Sequence, residues 1–483
     1  MSKHPEWALK HKRKGTELRL INGKYYLYEV TSKWDPEKKR PRKITGKLLG
    51  KITKEDGFIE SPKRKLEREA QNKKIENISI KEYGASALIT KHFADYQVLL
   101  KKHFPQYWRE LVVLAYGRLV HHSPLKNMQY HYQHSYLSEQ FKGLKLSPKS
   151  VGQLLRQVGK SRERIVAFFR EFAVGDDNIL FDGTDLISHS EKLPYPELSL
   201  TKKGHFDRLI NLMLGFSTSR KLPLYYRILP GNIKDVKAIS LSMKELGISD
   251  AVFIMDKGFF SKQNIEQFRQ AGLRFLLPLK RNHSLIDYSI IESGDKRKFH
   301  GHFMFQGRVI WYYTYEKDGL KINVYLDEEL KNRETKDYLR RVEADLEGYE
   351  MEGFFDKQYH FGTLAILHNT DKDPQTVYEQ YKARREVEEM IDVMKNVVKA
   401  DRTYMQDKEA LEGWMFINYL ALHWYYRIYQ LLVEHKLIRK YSVSDILLFL
   451  RRIFRVKIND EWRQLEITKK TQEIMEKLKL DIT

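Results

Sequence analysis

The sequence contains no cysteine among its 483 residues. This absence excludes a disulfide scaffold, thiol catalysis, and any zinc or iron–sulfur site held by cysteine. Long hydrophobic runs are also missing. The chain opens on Met-Ser-Lys-His-Pro-Glu without an apolar segment, so no signal peptide is expected. The most apolar long stretch, Phe416–Val433, contains four polar side chains and therefore predicts a buried helix and not a membrane span.

Acidic residues are too few to balance the basic ones. The chain has 86 Lys and Arg against 64 Asp and Glu, a net charge of +22. Its 42% hydrophobic and 12% aromatic content is sufficient for a sizeable core, which excludes wholesale disorder. The basic excess predicts a polyanionic partner, usually nucleic acid. We expect a cytoplasmic, nucleoid-associated protein without membrane contact, built from two to four domains of about 150 residues each.

The positive charge is concentrated near the N-terminus. Residues 1–75 hold 22 Lys and Arg against 10 Asp and Glu, which gives +12 of the total. Within this segment, Leu18–Val30 predicts a β-hairpin around the turn Asn22-Gly23. Basic strands interleaved with aromatic residues such as Trp34 suit contacts to phosphates and stacking on bases. The alternative is a small sheet with a solvated lysine face.

Residues 80–175 show the apolar spacing of helices. The predicted helices are Ala85–Phe104, Gln106–His122 and Val151–Phe172. Ser147 is a suitable N-cap for a helix Pro148–Val158, which follows a short helical segment Leu137–Phe141. This pair resembles a helix-turn-helix, with Lys149 and Arg156 available to a DNA groove. Any helical bundle offers a similar pair, so an ordinary bundle stays open as the alternative.

From residue 176 the pattern becomes α/β. Strands joined by short turns are followed by alternating helices and strands, which predicts a mixed sheet with helical crossovers. Two apolar runs, Ile179–Asp182 and Val252–Asp256, each end in an aspartate. If the two strands are neighbours, Asp182 and Asp256 converge where ligands bind in open sheets. Two such carboxylates repel each other unless a cation lies between them, and Mg²⁺ or Mn²⁺ suits oxygen ligands. The alternative is that each aspartate caps an ordinary loop.

A third acidic candidate lies far downstream. Pro374–Lys399 predicts one long helix, on which Tyr381, Arg384, Glu388 and Lys395 share a stripe about 60° wide. A stripe with a phenol, two cations and a carboxylate is not a core face. It suits a site where Glu388 joins a metal while Arg384 and Lys395 hold phosphate oxygens. The alternative is a solvated face with i,i+4 ion pairs.

Three motifs together carry a family resemblance: Asp182-Gly183-Thr184, Asp256-Lys257-Gly258-Phe259 and Tyr381-x2-Arg384-x3-Glu388-x6-Lys395. They resemble the DDE transposases of bacterial and archaeal insertion sequences, in the Y-R-E-K signature group (insertion-sequence family four and relatives). The resemblance covers residues 176–430 and implies a ribonuclease-H-like catalytic domain. It implies that Asp182, Asp256 and Glu388 are the catalytic, metal-binding triad, with two Mg²⁺ or Mn²⁺ ions per active site.

The resemblance also implies the reaction and the partners. Water first nicks the element end, and the freed 3′-hydroxyl then attacks target DNA. Tyr381, Arg384 and Lys395 are expected to hold phosphates near the cut. The partners are double-stranded DNA, namely terminal inverted repeats and target, and a second copy of the chain when assembled on DNA.

Three more residues are DNA-binding candidates by position. Lys280 and Arg281 directly follow the predicted strand Leu273–Leu279 and could reach the DNA backbone. Trp311 lies in a predicted hairpin and could stack on a displaced base. A core tryptophan is an equally open interpretation of Trp311.

The predicted organisation is α/β, with a small basic β module and a helical region before the catalytic domain. The segments are 1–78 (basic β-rich, DNA-contacting), 79–175 (helical, helix-turn-helix-like), 176–282 (first segment of the catalytic core), 283–362 (β-rich or mixed insertion), 363–435 (second segment of the catalytic core) and 436–483 (C-terminal helices). Two other functions stay open. One is a metal-dependent nuclease of the same fold that cuts without joining, and the other is a non-catalytic DNA-binding regulator.

Overall fold

The computed structural model describes residues 4–36, 38–65, 78–173, 179–194, 196–200, 206–229, 241–242, 244–247, 252–255, 257 and 260–482. The chain divides into two compact units. One comprises residues 1–79 with 456–463, and the other comprises residues 80–455 with 464–483. Within the described residues, no helix combines the length and apolar character needed to cross a bilayer.

The first unit is built on a four-stranded antiparallel sheet in the order β1-β2-β3-β4. Its elements are α1 Glu6–Leu9, β1 Thr16–Ile21, β2 Lys24–Asp35, β3 Arg40–Thr53 and β4 Gly57–Glu60. Ile21 pairs with Lys24 across the Asn22-Gly23 turn, and both turn residues have positive φ (48° and 74°). A two-residue turn of this kind matches the twist of the strands it joins. The predicted hairpin is therefore confirmed.

Most of the second unit before residue 175 is helical, as predicted. Its helices are α2 Gly84–Ala87, α3 Ala94–His103, α4 Trp108–His121, α5 Met128–His134, α6 Leu137–Gln140, α7 Pro148–Lys160 and α8 Arg162–Arg170. Ser147 caps α7 by accepting a hydrogen bond from the Ser150 N–H, with Pro148 at the first helical position, which confirms that helix start. The single helix predicted over Val151–Phe172 is wrong, because the backbone leaves helical geometry at Ser161 (φ −100°, ψ 54°).

A large mixed sheet forms the rest of the second unit. Its strands are β6 Ile179–Ser188, β7 Glu197–Leu200, β8 Phe206–Ser217, β9 Leu222–Leu229, β10 Val252–Ile254, β11 Arg274–Pro278, β12 Gly301–Phe305, β13 Arg308–Lys317, β14 Leu320–Asp327, β15 Thr363–His368 and β16 Arg402–Thr403. β6, β8 and β9 form an antiparallel meander, and β10 pairs in parallel with both β6 and β11. The mixed α/β class predicted from the sequence is confirmed. The order β9-β8-β6-β10-β11 places β6 at the centre of this region of the sheet.

The predicted insertion contains both strands and helices. β12, β13 and β14 form an antiparallel meander that joins β11 through β15, so these strands extend the main sheet. The remaining helices are α9 Lys262–Gln270, α10 Ser289–Glu292, α11 Glu328–Glu343, α12 Met351–Lys357, α13 Pro374–Lys382, α14 Arg385–Asp392, α15 Lys408–Glu434, α16 Val443–Leu450 and α17 Lys469–Lys477. The chain passes between the two units in β5 Ile78–Glu82, β17 Phe454–Ile458 and β18 Glu461–Gln464.

The long helix α15 is the centre of the hydrophobic core, as its apolar sequence predicts. α15 packs closely on α7 at two glycines. A Cβ added to Gly159 would lie 1.9 Å from the Glu409 carbonyl oxygen, and one added to Gly413 would lie 2.1 Å from that of Leu155. The polar Asn418 on α15 is also buried and accepts a hydrogen bond from Arg118 Nε at 2.7 Å. Close packing at the two glycines and the hydrogen bond to Asn418 both suit an interior helix.

Candidate active site

Asp182 lies on the central strand β6, between buried and half-buried residues. The prediction that the strand ends at Asp182 is wrong, because β6 continues to Ser188. It does so because β8 pairs with it as far as Ile187, opposite Leu209. The Asp182 side chain is 15% exposed, and its Oδ1 accepts a hydrogen bond from the Gly183 N–H at 2.9 Å. The carboxylate is therefore oriented by the backbone of the next residue and is mostly shielded from solvent.

Asp256 lies outside the described residues, so its predicted place in the site stays a prediction. The strand that precedes it is described. β10 pairs in parallel with β6, with Ile254 opposite Leu180. The two strands are therefore neighbours, which is the condition for their aspartates to converge. Asp182 and Asp256 each come two residues after this aligned pair in the sequence.

Glu388 is carried by a helical segment that is less regular than predicted. Asp373 caps α13 by accepting the Thr376 N–H, with Pro374 at the first helical position, which confirms the predicted helix start. The single helix Pro374–Lys399 is wrong. α13 ends at Lys382, α14 begins at Arg385, and a π turn Val393–Val397 follows. On α14, Val387 and Met390 are buried while the Glu388 side chain is 57% exposed.

Arg384 brings two of the predicted carboxylates together. Its Nη2 lies 3.6 Å from Asp182 Oδ2 and 3.4 Å from Glu388 Oε1. These two oxygens are therefore at most about 7 Å apart, the two distances added. The Arg384 side chain is only 16% exposed, so its charge is partly shielded from water. The arrangement joins residues 206 positions apart in sequence around one cation.

The other acids on α14 have partners of their own. Glu386 forms an ion pair with Lys221, which lies in the turn between β8 and β9. Glu389 pairs with Arg385 at 3.0 Å. Burial, together with the charges of Glu389 and Glu386, raises the pKa of Tyr429 on α15. These two glutamates are therefore engaged away from the Asp182–Glu388 pair.

Lys395 lies in the π turn, where hydrogen bonds span five residues, as from the Val398 N–H to the Val393 oxygen at 2.9 Å. The position of Lys395 around the helix axis therefore differs from the one calculated for an ideal α-helix, on which Lys395 shared a stripe with Glu388. The end of this turn is fixed by Arg118, which donates to the carbonyl oxygens of Val398 and Lys399 at 2.6 and 2.8 Å. Burial lowers the pKa of Arg118 to about 10. Tyr381, the first residue of the signature, is half-buried and packs against the core.

Two of the three further DNA-binding candidates are engaged inside the second unit. Arg281 binds both carboxylate oxygens of Glu334 at 2.9 and 3.0 Å and donates to the Thr363 oxygen. Trp311 is half-buried, with its ring 5.0 Å from that of His302. Lys280 is exposed. The structure thus gives Arg281 a structural partner and leaves Lys280 accessible.

The helix-turn-helix candidates lie on α7. Lys149 is exposed, and Arg156 Nε lies 2.8 Å from Asp407 Oδ2. Asp407 is the N-cap of α15, so Arg156 lies at the junction of α7 and α15. The DNA-binding role of both residues stays a prediction.

The sequence pattern predicts only phosphate contacts for Arg384 and does not indicate its contacts with Asp182 and Glu388. The i,i+4 spacing of Arg384 and Glu388 could have indicated the contact between these two residues. No signal in the sequence indicates the Lys221–Glu386 pair, because its members are 165 residues apart. Within the described residues, no cluster of three or more His, Asp or Glu side chains is placed to hold a metal ion.

The family model for the transposase DDE domain matches residues 175–424, just over half of the chain. The chain therefore belongs to the DDE transposase domain family. The solved structures to which it is similar include the cryo-EM structure of a piggyBac transposase synaptic complex with hairpin DNA. In that match the sequence identity is 13%, 74% of this chain and 70% of that chain are covered, and the TM-score is 0.39. No curated protein matches the sequence at a significant level.

Proposed function

We propose that this protein is a DDE transposase of the Y-R-E-K signature group that cuts the ends of a DNA element and joins them to target DNA. Membership of the transposase domain family supports the class of activity. The observation that carries the assignment of residues is the contact of Arg384 with both Asp182 and Glu388. In this proposal Asp182, Asp256 and Glu388 form the catalytic triad, and the active assembly on DNA is a homodimer.

The topology supports a ribonuclease-H-like core for this proposal. An antiparallel meander of β6, β8 and β9 is followed by β10 and β11, which are parallel to β6, with the helix α9 between β10 and β11. Ligands of open sheets bind beside the central parallel strands, where the strand order reverses. β6 is that strand here, because β8 lies on one side of it and β10 on the other.

The donor set fits divalent metal ions. Asp182 and Glu388 offer hard oxygen ligands within about 7 Å of each other, and a cation already lies between them. Two carboxylates at this separation are stabilised by a positive charge. When bound, two Mg²⁺ or Mn²⁺ ions would supply activation of the attacking oxygen and stabilisation of the leaving oxygen of a phosphodiester.

The protein's own side chains bind and orient the DNA. Asp182 and Glu388 would hold the metal ions. Arg384 could exchange a carboxylate for a phosphate oxygen, because its guanidinium donates to either kind of anionic oxygen. Tyr381 and Lys395 lie on either side of Glu388 in sequence and are proposed to hold the adjacent phosphates. No protein nucleophile is needed, since water and the 3′-hydroxyl are the attacking groups.

Replacement of the carboxylates tests the proposal. We expect Asp182→Asn, Asp256→Asn and Glu388→Gln each to abolish Mg²⁺-dependent nicking of DNA taken from the flanks of the gene, while DNA binding persists. Glu389→Gln is the matched control, because Glu389 is the next residue on α14 and is similarly exposed (56%). It should cut at a rate near that of the unmodified protein.

The outcomes separate the possible functions. Nicking by any of the three variants at the unmodified rate would refute the triad. Nicking without joining, measured with a substrate that carries a free 3′-hydroxyl, would indicate a nuclease of the same fold. DNA binding without nicking by the unmodified protein would indicate a non-catalytic regulator.

A further inference from the structure

β2 and β3 continue well beyond the four-stranded region of the first unit. β1 pairs with β2 only over residues 24–29, and β4 pairs with β3 only over residues 50–53. Beyond these regions, and within the described residues, the strand pairing of residues 30–35 and 40–45 is only with each other, from Val30 opposite Thr45 to Asp35 opposite Arg40, although the Val30 N–H at the base also donates to the Gly15 oxygen. We call these two stretches the ribbon. Six residues at about 3.3 Å each give it a length of about 20 Å.

The ribbon is strongly basic and exposed. Its twelve residues contain four Lys or Arg and one acid, and residues 36–39 between the two stretches add two Lys and one Glu in the sequence. Apart from the half-buried Asp35, every described residue from Thr31 to Thr45 is exposed, including Trp34 at 61%. Within the described residues, no acidic side chain forms an ion pair with Lys33, Arg40 or Arg42. The ribbon therefore carries cations that the described residues of the protein do not neutralise.

The pairing register places like charges opposite each other. Lys33 lies directly opposite Arg42, and the two side chains therefore share one face. Trp34, opposite Pro41, lies on the other face. Like charges in directly opposed positions destabilise an antiparallel pair. A departure of this kind from favourable local pairing indicates a functional role, here the binding of one anion by both Lys33 and Arg42.

The strand pairing at the base of the ribbon is irregular. The register of β2 and β3 shifts twice, between Leu27 and Tyr28 and between Tyr28 and Val30. Such bulges bend a strand and increase its twist, and they redirect the residues beyond them. The first shift lies within the stretch of β2 that pairs with β1, and the second lies where that pairing ends and the ribbon begins. The bulges are consistent with an arm that is directed at a partner.

We propose that the ribbon is a DNA-binding arm that enters the major groove of duplex DNA, with Lys33 and Arg42 contacting phosphates. The major groove is about 12 Å wide and admits a two-stranded β-ribbon. This inference deepens the proposed function, because it names the surface and the groove through which a transposase would hold its DNA. Charge complementarity and the length of the ribbon favour duplex DNA as the occupant.

A double variant with a matched control tests the inference in the full chain. Lys33→Ala with Arg42→Ala removes the opposed pair, and Lys51→Ala with Lys54→Ala removes two exposed cations of the same unit outside the ribbon. The probe is a fluorescent random-sequence duplex of about 40 base pairs, titrated at roughly 50 to 200 mM salt. We expect the ribbon variant to bind on the order of tenfold more weakly, with a salt slope smaller by about 2. The control pair should change neither.

The alternatives give different results. Equal losses in both double variants would show that overall charge is responsible and would overturn the inference. Equal competition by an RNA duplex would also overturn it, because the major groove of RNA is too narrow for a ribbon. Thermal unfolding shows whether the ribbon variant folds, and we expect no loss of melting temperature because a repulsive pair is removed.

Metal-dependent nicking, measured in parallel, separates this inference from the proposed function. If the unmodified protein does not nick DNA but the ribbon variant binds DNA more weakly than it does, the transposase proposal fails and the ribbon inference is supported. If nicking is normal and binding by the ribbon variant is unchanged, the ribbon inference fails alone.

Discussion

At the scale of single residues, the proposed function gives Arg384 two roles that compete. Its Nη2 contacts Asp182 and Glu388, so it occupies a position between two proposed metal ligands. A divalent ion that binds the same oxygens would take over the neutralisation that the guanidinium provides. Arg384 could then exchange these carboxylates for a phosphate, which a planar guanidinium binds with two parallel hydrogen bonds. The same residue can thus hold the carboxylates together before DNA and metal arrive.

This competition leads to a prediction for Arg384→Gln. Without metal the variant should unfold at a lower temperature than the unmodified protein. Its free energy of unfolding should be lower by about 1–2 kcal/mol, which lies between the values for exposed and buried ion pairs. Added Mg²⁺ should raise its melting temperature more than that of the unmodified protein, because no guanidinium opposes the ion. Thermal unfolding in chelator and in Mg²⁺ measures both effects.

Arg385→Gln is the control for this prediction, because Arg385 is adjacent, 82% exposed and paired with Glu389 outside the proposed site. It should respond to Mg²⁺ as the unmodified protein does. An equal response to Mg²⁺ in Arg384→Gln and the unmodified protein would contradict the proposed competition.

At the scale of elements, the glycines between α7 and α15 determine how closely the two helices pack. A Cβ at Gly159 would lie 1.9 Å from the Glu409 oxygen, so the helices must separate to accept alanine. We expect Gly159→Ala to destabilise the second unit by about 2–3 kcal/mol, as overpacking of a close contact does. Urea unfolding measures the change.

Gly152 on the same helix is the matched control. A Cβ there would meet only Arg156 Nη1, at 3.8 Å. Gly152→Ala should therefore stabilise the helix by up to about 1 kcal/mol through helix propensity alone. A loss of stability in Gly152→Ala as large as that in Gly159→Ala would contradict the packing argument.

The elements that the sequence predicted well have local causes. The N-caps Ser147 and Asp373 and the Asn22-Gly23 turn act within a few residues, and each is confirmed. The elements that it predicted wrongly depend on distant partners. β6 runs past Asp182 because β8 pairs with it, and the helix after Pro374 is interrupted near Arg384.

At the scale of the whole molecule, the candidate site was predicted only incompletely. The spacing of the signature indicated Glu388 and Arg384, and the apolar runs indicated the neighbouring strands β6 and β10. The approach of Asp182 to Glu388 depends on how the sheet packs against α14, which no local pattern describes. The exposed ribbon was also not predicted from local patterns, since its exposure depends on where the neighbouring strands β1 and β4 end.

Stability of the second unit should depend on pH through buried histidines. His423 lies in the core beside Tyr96 and is fully buried, and burial together with the charge of Arg427 lowers its pKa to about 3. Since this pKa is below that of the unfolded chain, near 6.5, the unfolded state takes up a proton first as the pH falls. The stability contributed by neutral His423 is therefore complete above about pH 6.5 and is lost progressively toward pH 3. Between about pH 6.5 and pH 5 the loss is roughly 2 kcal/mol.

His423→Gln isolates this contribution. The variant should be less stable than the unmodified protein at about pH 7, because its side chain replaces a packed ring, but the difference should shrink by roughly 2 kcal/mol at about pH 5. Urea unfolding at the two pH values measures it. His134→Gln is the control, because His134 is exposed and should leave the pH dependence unchanged. If the His423→Gln and unmodified proteins lost stability in parallel on acidification, the proton uptake would have to be assigned to another group, such as His121, whose pKa burial also lowers to about 3.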